Sequence, residues 1–75
     1  MITAAQCRMA RGALGWSIQD LAEKANIGRM TVSRFEAEQG TPTRATLALI
    51  RQAFEAAGVE FIPSGVRLRE PTEAA

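Results

Sequence analysis

Residues 17–36, SIQDLAEKANIGRMTVSRFE, carry the signals of two short helices separated by a tight turn. Ser17 can accept a backbone N–H group at the start of the first helix, and Asp20, three residues later, completes a capping box. Asn26 tolerates the left-handed conformation that ends a helix, and Gly28 allows the chain to restart close by. This stretch therefore predicts a close pair of helices, around which the rest of a short chain must pack.

The second helix of the pair has an apolar face and a polar, basic face. Its spacing directs Val32, Phe35 and Thr31 inward, toward the core. The outer face is left with Arg29, Met30, Ser33 and Arg34. A basic outer face on the second of two such helices is typical of a helix-turn-helix, whose second helix enters the major groove of DNA.

Length and composition favour one small domain that binds rather than catalyses. Seventy-five residues, 47% of them hydrophobic and 23% charged, are enough for a single core. With one cysteine and no histidine, the chain lacks an internal disulfide and the usual zinc ligands, so Cys7 is interpreted as a small buried hydrophobe rather than a redox group. No metal, cofactor or enzymatic activity is expected, because no Ser–His, Cys–His or paired-carboxylate pattern is present.

The chain has no apolar run long enough to span a bilayer, and its first residues lack the layout of a signal peptide. We therefore expect a cytoplasmic protein. Its net charge is only +1, but residues 1–51 contain seven basic and four acidic residues, whereas residues 52–75 contain two basic and four acidic ones. Phosphate attraction acts within about 10 Å at ordinary ionic strength, so this concentration of positive charge near the helix pair favours a nucleic-acid partner.

A first helix is predicted ahead of the pair. Thr3 and Gln6 resemble a capping box, and the helix runs to about residue 14, where Gly15 ends it. Trp16, the only tryptophan, precedes the Ser17 cap. It is interpreted as a lid over the core between the first two helices, in preference to a surface on which nucleic-acid bases stack.

A fourth helix is predicted from about Arg44 to Ala57, capped by Thr43 and closed by Gly58. Its core-facing residues are Leu47, Ile50 and Phe54. A second apolar stripe remains, formed by Leu49, Ala53 and Ala56. A surplus stripe of this kind favours a contact with another subunit over a solvated face.

Beyond residue 58 the hydrophobic residues recur at the two-residue spacing typical of β-strands. VEFI and VRLR predict two strands joined by a three-residue loop, in which Pro63 and Ser64 form the turn and Gly65 takes the left-handed position of a bulge. An isolated hairpin is marginally stable, so this one should either pack on the helices or pair its edge with another copy. The chain thus divides into a helical domain (1–58), a hairpin and candidate dimerisation element (59–69) and a flexible tail (70–75).

The stretch LAEKANIGRMTVSRFE resembles the lambda-repressor-like family of helix-turn-helix proteins, also called the XRE or Cro type. The resemblance runs from about Gln6 to Phe54. It implies a mainly α, four-helix domain whose recognition helix begins near Gly28, and a homodimer on a roughly palindromic site in double-stranded DNA. The family normally continues into a fifth helix, which the hairpin at 59–69 replaces here, so the resemblance does not supply a dimer geometry.

The resemblance and side-chain chemistry together assign the DNA contacts. Base edges are expected to be contacted by Arg29, Met30, Ser33 and Arg34. An arginine fork can donate to guanine O6 and N7 together, whereas Met30 either touches a thymine methyl or is simply exposed. Phosphates are expected to be contacted by Ser17, Gln19, Thr31, Thr41, Thr43 and Arg44. Relatives often carry glutamine directly after the serine, but here Ile18 intervenes, which displaces or removes one backbone contact.

Two further sets of residues are assigned structural roles. Arg11 and Glu36 match a pair that, in relatives, joins the first helix to the end of the recognition helix, and loss of one partner would leave a poorly compensated charge. The predicted dimer interface consists of Leu49, Ala53, Ala56, Val59 and Phe61.

Two functions remain open at this point. The first is a homodimeric transcription regulator that occupies two half-sites about one helical turn apart, controlled by its own concentration or by a regulatory partner protein. The second is a protein-interaction adaptor, similar to an antitoxin or a mobile-element control protein, that holds another protein with the fourth helix and the hairpin. Arg34→Ala should impair the first function alone, whereas Leu49→Asp should impair both.

Overall fold

A computed structural model describes residues 2–69. Its elements, in chain order, are α1 (Ala4–Leu14), α2 (Ile18–Ala25), α3 (Arg29–Glu36), α4 (Arg44–Ala56), β1 (Val59–Ile62) and β2 (Gly65–Leu68). The two strands form an antiparallel hairpin. This confirms the predicted fold class of four helices followed by a hairpin. None of the helices in this part of the chain is long and apolar enough to cross a membrane. The predicted tail at 70–75 lies outside the described residues.

Local side-chain caps define the starts of the first two helices. In α1 the Thr3 hydroxyl accepts the N–H of Gln6 at 3.1 Å, while the Gln6 side chain accepts the N–H of Thr3 at 3.0 Å. In α2 Ser17 and Asp20 make the same reciprocal pair at 3.0 and 2.9 Å. Both predicted capping boxes are confirmed, and Gly15 ends α1 with a left-handed φ of 70°.

Of the two residues predicted to shape the turn between α2 and α3, Asn26 and Gly28, only Asn26 has a left-handed conformation. Asn26 is left-handed, with φ 58° and ψ 48°, and its N–H reaches the carbonyls of Ala22 and Glu23. Gly28, in contrast, has φ −72° and ψ 144°, which any residue can adopt. A Cβ atom at Gly28 would come no closer than 3.9 Å to Thr31 Oγ1. The left-handed conformation predicted for Asn26 is therefore confirmed, whereas the restart at Gly28 makes no use of the conformational freedom of glycine.

The core forms where all four helices meet the hairpin. Leu21, Val32, Ile50 and Phe54 are completely buried. Trp16 stacks on Phe54, with ring centroids 5.5 Å apart and ring planes 18° from parallel. Trp16 therefore lies over the core as predicted, and its ring packs against α4 through Phe54.

The hairpin packs on the helices, which was one of its two predicted outcomes. Val59 is only 1% exposed, and the Nε2 group of Gln6 donates to the carbonyls of Ile62 and Gly65 at 2.7 and 3.1 Å. The predicted loop is wrong in detail. Ile62 pairs directly with Gly65, so the loop has two residues, and Gly65 is a strand residue without a positive φ. The reason is tertiary, because the Gln6 amide holds both carbonyls of the closing pair.

Burial of Val59 also corrects the predicted dimer interface. Val59 belongs to the core and offers no surface to a second copy. Its neighbour two residues along β1, Phe61, is half-buried and lies edge-on to Phe54, with centroids 5.9 Å apart. The first strand therefore serves mainly to close the core of its own chain.

Candidate nucleic-acid interface

Helix α3 separates its residues sharply between core and surface. Val32, Phe35 and Glu36 are buried. Arg29 and Arg34 are exposed, and Met30 is 57% exposed, the largest exposed fraction of any described large hydrophobic residue. Ser33 and Thr31 lie between these extremes and are half-buried. An α-helix that presents two arginines and an apolar side chain outward has the chemistry needed to read base edges.

Two shallow grooves flank the exposed face of α3 and bring most of the predicted DNA-contacting residues together. The groove between α3 and the start of α2 is lined by Ser17, Gln19, Arg29, Met30 and Ser33 among others. The groove between α3 and the following loop is lined by Thr31, Arg34 and Thr41 among others. Arg44 lies apart from both, in a depression with Ile2, Leu47 and Arg51. Eight of the ten predicted contacts thus surround one helix, and Thr43 and Arg44 line neither groove.

At the start of α2, the predicted phosphate contacts already have partners within the chain. The Asp20 carboxylate accepts the N–H of Ser17, and the Gln19 amide donates to Glu23 at 2.9 Å. A carboxylate at this end opposes the attraction of the helix N-terminus for a second anion. Ser17 retains its hydroxyl hydrogen as a donor, because its oxygen only accepts in the cap.

The start of α4 has the opposite character. Its first turn contains no acidic residue, and Arg44 is exposed there. Thr43 accepts the N–H of Thr46 at 3.2 Å and also shares a 3.0 Å hydrogen bond with the Thr46 hydroxyl. The positive helix end and the adjacent guanidinium are therefore available to an anion, whereas the Thr43 side chain is engaged in the cap.

The last residue of α3, Glu36, is held by the first helix. Arg11 makes a two-pronged contact with its carboxylate, Nε to Oε2 and Nη2 to Oε1, each at 2.7 Å. The two side chains are 21% and 6% exposed. Arg11 Nη1 also donates to the carbonyl of Trp16 at 3.0 Å, and Arg8 donates to the backbone carbonyl of Glu36. One arginine thus links α1 to the end of α3 and to the entry of α2.

Cys7 adds a third donor to this carboxylate. Its thiol is completely buried and lies 3.1 Å from Glu36 Oε2. Burial first, and then the Glu36 hydrogen bond, raise the pKa of Cys7 far above its usual range, so the group is a neutral donor. Burial opposes ionisation of Glu36, but hydrogen bonds from Arg11 and Cys7 and the charges of Arg11 and Arg8 together hold the pKa of Glu36 below its usual range.

Sequence reasoning missed two members of this cluster, Cys7 and Arg8. A signal was present, since residues 7 and 8 precede residue 11 by four and three positions, the spacings that bring side chains together on a helix surface. It was not decisive, because helical spacing alone does not reveal that the end of α3 lies opposite this side. The burial predicted for Cys7 is confirmed, but its hydrogen bond was not foreseen.

These features define a class of protein: a four-helix domain in which α2, a tight turn and α3 form a helix-turn-helix braced by α1. Residues 8–61 match the helix-turn-helix family model. The chain belongs to this family, the XRE or lambda-repressor-like group of DNA-binding regulators, and the resemblance stated from the sequence is confirmed. No curated protein sequence matches the chain.

Proposed function

We propose that this chain is a cytoplasmic, homodimeric transcription regulator that binds a roughly palindromic site in double-stranded DNA with α3 in the major groove. The observation that carries the proposal is the outer face of α3, where Arg29, Met30 and Arg34 are exposed around a half-buried Ser33. The opposite side of the same helix is buried and tied to α1 through Glu36. A basic face on a rigidly held helix is what direct readout requires.

The chemistry of this face suggests what kind of sequence it reads. Arg29 and Arg34 can each donate two hydrogen bonds to guanine, a contact worth about 1–3 kcal/mol of discrimination. Met30 has no strong donor, so it suits the methyl group of a thymine. Ser33, lying between the two arginines, can donate to or accept from several bases. The proposed half-site therefore contains guanine together with an adjacent thymine.

Phosphate contacts would orient α3 without reading sequence. Thr31 and Thr41 line the same groove as Arg34. Their hydroxyl groups are therefore placed to contact phosphates of the DNA strand next to the bases that Arg34 reads. The start of α4, with Arg44, supplies a second anchor farther along the backbone. Because Asp20 occupies the start of α2, we assign Ser17 and Gln19 a weaker share of this work.

A footprint on the DNA upstream of the gene for this protein tests the proposal. We expect protection of two half-sites, and we expect Arg34→Ala to weaken binding to that site by about tenfold or more while non-specific binding falls much less. The matched control is Arg67→Ala, which removes the same charge from β2, where Arg67 is paired with Glu60. Equal losses in both variants, or no sequence preference at moderate salt, would contradict the proposal.

Helix α4 provides most of the proposed dimer interface. Leu49 is 42% exposed and Ala56 is exposed, whereas Ala53 and Phe61 are half-buried. We expect Leu49→Asp to convert a dimer to a monomer and to weaken operator binding at least about tenfold, because two linked half-site contacts bind far more tightly than one. Analytical ultracentrifugation and gel shifts measure the two effects. The control is Gln52→Asp, at an exposed position of the same helix, which should leave both the dimer and operator binding unchanged.

The alternative function, a protein-interaction adaptor, is favoured by the same exposed Leu49. The two substitutions separate the candidates. An adaptor would keep its activity in Arg34→Ala and lose it in Leu49→Asp, whereas a dimeric DNA-binding regulator would lose activity in both.

A further inference from the structure

We infer that the thiol of Cys7 is a positioning residue for the recognition helix, acting through its hydrogen bond to Glu36 rather than only as core filling. This inference rests on the proposed function, since it concerns how α3 is presented to DNA. Three contacts carry it: Cys7 Sγ to Glu36 Oε2 at 3.1 Å, and the two Arg11 contacts at 2.7 Å.

Water scarcely reaches the Glu36 carboxylate, whose side chain is only 6% exposed, so its hydrogen bonds come from the chain itself. A buried carboxylate is stable only when donors occupy its oxygens. Arg11 gives one donor to each oxygen, and Cys7 supplies a second donor to Oε2. The thiol approaches from within the core, because Cys7 is completely buried, whereas Arg11 is partly exposed. An apolar side chain would fill the same space but would leave this side of Oε2 without a donor.

The position of Glu36 along α3 connects this contact to DNA binding. Glu36 is the last residue of the helix, and Arg34 precedes it by two positions. A two-pronged contact from Arg34 to a base tolerates little displacement, since both hydrogen bonds must keep their distance and direction. Loosening the end of α3 would therefore weaken specific contacts more than contacts to phosphates. Cys7 touches no DNA in this mechanism and acts only through Glu36.

A matched pair of substitutions separates the hydrogen bond from the volume. Cys7→Ala and Cys7→Ser leave side chains of nearly equal size, but only serine keeps a donor. The groups that act on the Glu36 carboxyl are Arg8 and Arg11, together with residue 7, all from α1. Loss of the residue 7 donor should raise the pKa of Glu36, so Cys7→Ala should show a higher value than Cys7→Ser.

Two measurements on the full chain decide the matter. Carbon NMR of the Glu36 carboxyl gives its pKa without DNA, and competition gel shifts give the preference for the footprinted site over a mismatched one. We expect this preference to fall about fivefold in Cys7→Ala and to stay within about twofold of the original in Cys7→Ser. If Cys7→Ser does not fold, the Glu36 pKa and the site preference of Cys7→Ala against the unmodified chain decide the question.

The possible results each have a clear meaning. An unchanged Glu36 pKa in Cys7→Ala overturns the inference, because the thiol then contributes nothing to the carboxylate. A raised pKa with an unchanged site preference also overturns it, because the hydrogen bond would then not position α3. If the unmodified chain itself shows no site preference, the proposed function fails instead, and Cys7 has no reading helix to position.

Discussion

Replacing Arg11 with methionine should lower the free energy of unfolding by about 3 kcal/mol, because it leaves a buried carboxylate without its charged partner. The cost lies at the low end for a buried pair, since Arg11 keeps 21% of its side chain exposed while Glu36 is only 6% exposed. Urea unfolding at neutral pH, followed by the emission of Trp16, the only tryptophan in the chain, measures the change. DNA binding should weaken as well, because the end of α3 loses its link to α1.

An exposed ion pair on the hairpin provides the control for this prediction. Arg67 and Glu60 have side chains that are 67% and 38% exposed, so Arg67→Met should cost at most about 1 kcal/mol. Changing Glu36 to glutamine together with Arg11→Met should recover part of the loss, because the uncompensated charge is then gone. If Arg11→Met costs no more than Arg67→Met, the pair does not brace the fold.

The same pair gives the unfolding free energy a defined dependence on pH. The pKa of Glu36 is held below its usual range in the folded chain, so the stabilisation is complete above its unfolded value of about 4.3 and is lost as pH falls through the folded value. Without Arg11 the folded pKa of Glu36 rises and this acid-sensitive stabilisation disappears, so the difference in unfolding free energy between Arg11→Met and the unmodified chain should shrink as pH falls. Urea unfolding at a series of pH values measures this difference, which should stay small at every pH for Arg67→Met.

Replacing Phe54 with alanine should have the largest effect on stability, a loss of about 4 kcal/mol. Phe54 is completely buried, and its ring contacts both Trp16 and Phe61, with centroids 5.5 and 5.9 Å away. A domain of this size is stabilised by only about 4–11 kcal/mol in total, so the variant should be partly or wholly unfolded at 37 °C. Circular dichroism during thermal unfolding measures the loss of helix.

Leu49→Ala on the same helix is the matched comparison for Phe54→Ala. Leu49 is 42% exposed, so its truncation should change the stability of the folded chain by no more than about 1 kcal/mol. The two variants should therefore differ by several kilocalories per mole although each removes one large apolar side chain from α4. Similar losses would mean that Phe54 is not the centre of the core.

The helix boundaries were predictable because the interactions that set them are local. Both capping boxes join residues three positions apart, and Asn26 ends α2 through its own backbone conformation. The exposed face of α3 followed from helical spacing and a single assumption about which side faces the core. The resemblance to a known family then supplied the pairing of Arg11 with Glu36, which no local pattern in the chain contains.

The hairpin shows where this kind of prediction stops. Its two strands were foreseen from their composition, yet the loop was assigned one residue too many and Val59 was assigned to a dimer surface. The loop length depends on Gln6, because its amide donates to Ile62 of the closing Ile62–Gly65 pair from 56 positions away in the chain. The place of Val59 is decided by the contact of β1 with α4, which buries Val59 among the core residues.

The order of residues was thus sufficient to place four helices, to select the outward side chains of α3 and to concentrate positive charge in the first 51 positions. It did not reveal all of the side chains that hold the end of that helix. Cys7 and Arg8 meet Glu36 from 29 and 28 positions away, and they do so only after α1 has packed across α3. Contacts of such separation depend on how whole helices are oriented in the folded core, whereas spacing patterns describe one helix at a time.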